Sequence, residues 1–310
     1  MSRVSVLGTG TMSPGIAAAF AGAGHQVKIW GRSAERAQAA AQRAGELVVF
    51  LREQGLIAST AWEIEITSTN ELEAVSDSLV VIEAVAENLD LKRDLFTQLD
   101  RVCPPASLLA TTTSGLLVTD IASRVEHRER VVAMHFWNPA HLMPIVEVCG
   151  GLDTSPDVVA RAMALARHIG KQPVLLRKEV LGFLGTRMQQ AVVREAIALL
   201  DGGVATAEDI DLAVKTSFGL RFPVIGPLET TDLSGLDVIA AIHGYLLPDL
   251  DCSTSPQVGI RDRVNRGELG VKSGVGFYDW SKRSSAELMR QRDQELVRRL
   301  RLRANGSGDI

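Results

Sequence analysis

The chain has 310 residues, 46% hydrophobic and 23% charged, with a formal net charge of −4 and a pI near 5.9. That length predicts two domains, each large enough to bury its own core, with no compositional sign of disorder. The acidic balance excludes a nucleic-acid or membrane-surface partner, which would need clustered positive potential. Cys103, Cys149 and Cys252 are widely spaced, without a CxxC or Cys/His ligand pattern, so they read as reduced and structural, and no metal site is implied. No apolar run is long enough to span a bilayer, and MSRVSVLG enters a strand pattern rather than a signal peptide, so a cytoplasmic protein is expected.

Short β-branched runs alternate with helical patterns as far as residue 176: Val4 to Leu7, Val27 to Trp30, Leu79 to Glu83, Leu108 to Thr112, Arg130 to His135, Ile145 to Val148 and Pro173 to Leu176. The alternation predicts an α/β fold with a largely parallel, doubly wound, Rossmann-type sheet over 1–181. A long helix is expected from Ser33 to about Gly55, followed by a strand at Glu63 to Ile66. After Gly182 the spacing of Phe183, Arg187, Ala191, Val192, Glu195, Ala196 and Leu199 is helical and stops at Gly202-Gly203. Thr206-Ala-Glu-Asp209 supplies a cap and acidic first turn for the next helix. Apart from a possible extended stretch at Gly276 to Asp279, the remainder is helix and loop. A C-terminal all-helical domain is therefore expected over 182–310, with Arg298, Arg299, Arg301 and Arg303 on the solvated face of its last helix and a frayed tail from Ala304.

Strand Val4–Leu7 runs into Gly8-Thr-Gly10-Thr11-Met12-Ser13-Pro14-Gly15 and then a helix, the order a dinucleotide requires. Gly8 permits the turn, Gly10 lets backbone approach the pyrophosphate, and the helix start offers amides and a positive dipole. Ser13 replaces the third glycine and crowds the helix against the strand. At the end of the second strand, where a carboxylate normally holds the adenosine ribose, the chain reads Trp30-Gly31-Arg32-Ser33. Arg32 and Ser33 could hold a 2′-phosphate, which favours NADP(H) over NAD(H); alternatively Arg32 is solvated and Ser33 only caps a helix.

His135 ends one predicted strand and Glu147 lies on the next, twelve positions later (147 − 135). Alone, such a histidine is more often a packed or hydrogen-bonded residue than a catalyst. The segments GTGTMSPGIA, EAVAENLDLKRDLF, ATTTSGL, HFWNPAHLMPIVEV, GFLGTR, IGPLETTDLSGLDV and GVKSGVGFY, in this order over nearly the whole chain, resemble the 3-hydroxyacyl-CoA dehydrogenase family. The resemblance implies a nicotinamide-dependent dehydrogenase or reductase acting on CH–OH groups. His135 would be the general acid/base, Glu147 its orienting carboxylate, Ser114 a hydrogen-bond partner of the reacting oxygen and Asn138 a nicotinamide-side contact. It further implies ribose contacts at Glu87 and Lys92, a cofactor-side lysine at Lys272, and a homodimer formed through the helical domain.

Thr186 stands where the family carries a substrate-binding asparagine, and no lysine occurs between Lys28 and Lys92 to clamp a CoA phosphate. Pro144 and Arg221 resemble the CoA-free branch that includes gulonate, carnitine and pyridine-carboxylate dehydrogenases. Arg221 either pairs with a substrate carboxylate or forms an ion pair with Glu229, Asp232 or a dimer partner. The expected substrate is a small, possibly carboxylated 3-hydroxy/3-keto compound. The alternatives are a 3-hydroxyacyl-CoA, an imine, or a non-catalytic crystallin-like role.

Overall fold

The computed structural model describes residues 2–57 and 65–304. Its single sheet contains β1 (Arg3–Leu7), β2 (Gln26–Trp30), β3 (Ile66–Thr69), β4 (Val80–Glu83), β5 (Leu108–Thr111), β6 (Val131–Phe136), β7 (Ile145–Gly150) and β8 (Gln172–Leu176), in the order 3-2-1-4-5-6-7-8. Strands β1 to β6 are mutually parallel, whereas β7 pairs antiparallel with β6 and β8 runs parallel to β7. Of the strand expected at Glu63 to Ile66, Glu63 and Ile64 lie outside the described residues; pairing with β2 begins at Ile66.

The helices are α1 (Met12–Gly22), α2 (Ala34–Glu53), α3 (Leu89–Val102), α4 (Val118–Ile121) and α5 (Pro156–His168), then α6 (Gly185–Asp201), α7 (Ala207–Thr216), α8 (Phe218–Arg221), α9 (Pro227–Ser234), α10 (Leu236–Leu246), α11 (Val258–Asn265) and α12 (Ser285–Ala304). Alternate residues of each strand point to opposite faces, so both faces of the sheet must be covered. Val132, Met134 and Phe136 of β6 pack with α1, α2 and α5. Val131 and Ala133 pack with α3 and α4 on the other face. His135 and Glu147 share that second face, because the period is two.

The described chain divides into two compact units, residues 2–187 with 295–304, and residues 188–294. The end of α12 packs in the first unit: Val297 is buried beside Leu51 and Leu142, and Arg301 donates to the carbonyl and side-chain oxygens of Gln54 at 2.8 and 2.9 Å. Arg301 is thus bound rather than simply solvated, whereas Arg298 and Arg299 pair with Glu295 at the surface. The second unit is helical; at Gly276 to Asp279 the described residues form an isolated Val275–Asp279 bridge instead of a strand.

His25, between α1 and β2, is buried, and its ring meets His168 edge-on at 5.1 Å. Burial first, and then His168, lower its pKa from the ordinary 6.5. Above that value both folded and unfolded chains carry a neutral ring; below it the unfolded chain gains a proton that the folded one resists. Urea denaturation at pH 8, 6.5 and 5 should therefore show stability falling with pH, and a smaller fall in His25→Phe.

Candidate active site

The C-terminal ends of the parallel strands β1, β2, β4, β5 and β6 lie along one edge of the sheet, and the order reverses at β1, between β2 and β4. That is the crevice at which open α/β sheets bind ligands. Gly8 follows β1 with φ of +128°, and a Cβ there would stand 2.3 Å from the Ala84 oxygen after β4. Only glycine fits this approach. A Cβ on Gly10 would meet nothing within 4 Å, so the loop is open on that side. Helix α1 then starts at Met12 with no side-chain cap, leaving its first amides for a ligand. Ser13 is fully buried and its hydroxyl has no partner among the described residues; its oxygen would lie 3.2 Å from a Cβ placed on Gly8. This cradle fits a dinucleotide pyrophosphate, with Thr11 and Met12 at its helical end.

At the end of β2, Ser33 caps α2 by accepting the Arg36 amide at 3.3 Å, and Arg32 is exposed. Trp30, the last residue of β2, packs against the core cluster on the α3 and α4 face, and its indole N–H is buried with no partner among the described residues.

His135 and Glu147 are directly opposed in the antiparallel β6/β7 register. The His135 Nδ1 lies 2.7 Å from Glu147 Oε2. Glu147 is fully buried, which alone would raise its pKa. Four donors outweigh that burial: His135, the Trp137 Nε1–H at 3.0 Å, and the amides of Gly185 and Leu184 at 3.0 and 2.9 Å. Together they hold the carboxyl at about 2. An ionised Glu147 can only accept, so Nδ1 carries the proton and Nε2 is left to exchange one with a substrate.

The two amides reach Glu147 because the chain turns sharply at Gly182 and Phe183, whose φ values are +80° and +48°. A positive φ at phenylalanine is strained. It also lays the Phe183 ring over the imidazole, 5.2 Å between centroids and 17° from parallel. Thr186 follows immediately, half-buried in the first turn of α6.

A second buried carboxylate underlies the neighbouring loops. Glu83, at the end of β4, accepts Lys92 Nζ at 2.7 and 2.9 Å, the Thr111 hydroxyl at 2.7 Å and the Val85 amide at 2.7 Å. Lys92 also approaches Glu87 at 3.3 Å, and Glu87 accepts the Ser114 amide at 3.0 Å and the Thr113 hydroxyl. Lys92 is 1% exposed, so its ammonium is committed to Glu83 and Glu87 and presents no free face to a ribose. Ser114 and Asn138, on the loops after β5 and β6, are exposed. Lys272 and Arg221 belong to the second unit, where both are exposed.

Sequence reasoning missed Trp137, Phe183, Glu83 and Thr113. Trp137 had a signal: two residues beyond His135, it continues the strand's two-residue period. The other three had none without the pairing of distant elements.

Residues 3–180 match the NAD binding domain, and residues 182–280 the C-terminal domain, of 3-hydroxyacyl-CoA dehydrogenase. The chain belongs to the 3-hydroxyacyl-CoA dehydrogenase family. It is 32% identical to 5-formyl-3-hydroxy-2-methylpyridine 4-carboxylate 5-dehydrogenase of Mesorhizobium japonicum, over 95% of this chain and 96% of that one. It is 37% identical to a probable 3-hydroxybutyryl-CoA dehydrogenase of Bacillus subtilis, over 92% and 99%. It is also 33% identical to an L-carnitine dehydrogenase of a Pseudomonas species, over 94% and 91%. A crystal structure of the pyridine-carboxylate enzyme, described as an NAD+ dependent dismutase, matches with a TM-score of 0.92 at 31% identity, over 97% and 98% of the two chains. The chain is thus an NAD-binding oxidoreductase acting on CH–OH groups. These likenesses lend no support to the expected preference for NADP(H). No described helix is long and apolar enough to cross a membrane.

The dyad geometry predicts that Glu147→Gln, which can present an amide N–H to Nδ1 and favour the wrong tautomer, lowers turnover by roughly 10³-fold while NADH binding, read by fluorescence titration, stays near wild type.

Proposed function

We propose that the chain interconverts a secondary alcohol and a ketone on a small, carboxylated 3-hydroxy/3-keto substrate, with NAD(H) as cofactor. The observation that carries this reading is the buried, ionised Glu147 holding the His135 Nδ1 proton and leaving Nε2 for the substrate oxygen. Gly8, Gly10, Thr11 and Met12 hold the pyrophosphate; Glu87, steadied by Lys92, faces the ribose; Asn138 serves the nicotinamide side, and Lys272 the cofactor. Bound NAD(H) supplies or accepts the hydride. In oxidation His135 Nε2 removes the hydroxyl proton as hydride leaves the carbinol carbon, and Glu147 stabilises the imidazolium. In reduction the same nitrogen returns the proton to the carbonyl oxygen, beside the Ser114 hydroxyl.

Full-length likeness to enzymes named for pyridine-carboxylate and carnitine substrates supports a small carboxylated substrate. Thr186 in place of asparagine and an exposed Arg221 to pair with a carboxylate agree with it. The probable 3-hydroxybutyryl-CoA dehydrogenase relative favours the second reading, a CoA thioester. Comparing kcat/KM for L-carnitine, 3-hydroxybutyrate and 3-hydroxybutyryl-CoA separates them: a preference for the thioester overturns the first reading.

Cofactor choice turns on Arg32. Because Ser33 already caps α2 and Arg32 is exposed, a 2′-phosphate there would make its charge contact in solvent, where such a contact is weak. Calorimetric titration should show NADH binding at least as tightly as NADPH, with both little changed in Arg32→Ala; an NADPH preference lost in that variant would restore the phosphate reading.

Helices α7 to α10 bury none of their residues, and Leu228 and Leu233 are 80% and 76% exposed. Such a surface suits a second copy of the chain, so we assign a homodimer. Light scattering at micromolar concentration should give twice the 33.4 kDa chain mass.

A further inference from the structure

Trp137 is fixed at both ends of its indole. Its Nε1–H donates at 3.0 Å to Glu147 Oε2, the same oxygen that holds His135 Nδ1 at 2.7 Å. Its six-membered ring lies against Gly185, where an added Cβ would stand 2.3 Å from Cζ2. The other carboxylate oxygen, Oε1, is occupied by the amides of Leu184 and Gly185. Among the described residues, Oε2 is therefore shared by two donors, the imidazole and the indole.

An oxygen that accepts two hydrogen bonds divides its negative charge between them, and each donor weakens the hold on the other. In a fully buried carboxylate the effect is large, because no water competes for the lone pairs. With His135 as its sole partner, Oε2 would bind the imidazolium so tightly that the proton would leave Nε2 reluctantly. We propose that Trp137 is a positioning residue that limits the basicity Glu147 confers on His135, so that one histidine can serve both directions of the reaction. The proposal rests on His135 and Glu147 being the proton-transfer pair. The indole also ties the loop after β6 to Gly185, the first residue of α6, next to Thr186.

Trp137→Phe keeps an aromatic ring against Gly185 and removes the N–H. In the 15N-histidine-labelled protein saturated with NADH, the His135 resonance is identified by its loss in His135→Gln, and its titration midpoint is read by NMR. The midpoint should rise in Trp137→Phe by about half a pH unit or more, since a hydrogen bond to a charged acceptor is worth at least that much. Uniform replacement of tryptophan by 5-fluorotryptophan, which makes the N–H a stronger donor without changing the fold, should move the midpoint the other way; it carries the test if the phenylalanine variant does not fold. A midpoint that stays put or falls in a folded Trp137→Phe protein that binds NADH like wild type overturns the proposal. Full turnover in His135→Gln would instead overturn the proton-transfer reading, whatever the Trp137→Phe midpoint does.

Discussion

The site depends on one buried carboxylate. Glu147 is wholly removed from water, and a charge in that position is tolerable only if its lone pairs are met. Four donors from three separate segments meet them: His135 on β6, Trp137 on the following loop, and Leu184 and Gly185 at the entry to α6. The same bonds that keep Glu147 charged select the histidine tautomer, orient the indole and place the start of α6. Chemistry and local architecture thus share one electrostatic requirement, and the positive φ at Phe183 is sustained because it aims the two amides at Glu147.

Glu83 repeats the arrangement one strand group away. It is fully buried and pairs with an almost fully buried Lys92, with the Thr111 hydroxyl and Val85 amide completing its shell. Through Lys92 the network reaches Glu87, and through Glu87 the backbone of Ser114. The loop that carries Ser114 is therefore tied, through the half-exposed Glu87, to a Glu83–Lys92 pair that is itself removed from solvent. Loop positioning by buried ion pairs gives specificity of geometry more than net stability, because desolvation offsets much of the Coulomb gain.

Much of the first unit was legible in the sequence. Strand positions followed from short β-branched runs, and Gly8, Gly10 and the helix after them located the dinucleotide cradle. The ordered segments from GTGTMSPGIA to GVKSGVGFY, present in one chain, carried the family assignment that the comparisons show. Less legible was anything set by contacts distant in sequence. Lys92 matched a ribose contact by motif, but only its burial against Glu83 reveals where its ammonium goes. Arg301 had the pattern of a solvated helix face, yet α12 returns to α2 and the guanidinium binds Gln54. Arg32 and Ser33 suggested a phosphate site, while the structure gives Ser33 a capping role that composition could not rank above the alternative.

What the sequence by itself determined is what local rules govern: the two-residue period that alternates side chains along each strand, the glycine at the turn after the first strand where a side chain could not fit, and the residue types able to exchange a proton. Only the tertiary structure decided that β7 reverses direction beside β6, which sets His135 directly across from Glu147 and not merely twelve positions away. It also decided that the remaining donors to that carboxylate come from Trp137 and from a turn nearly forty residues downstream, with Gly185 N to Glu147 separated by 38 positions. Strand direction and long-range burial depend on how the whole chain covers its apolar faces, a sum over distant contacts that no window of neighbouring residues contains.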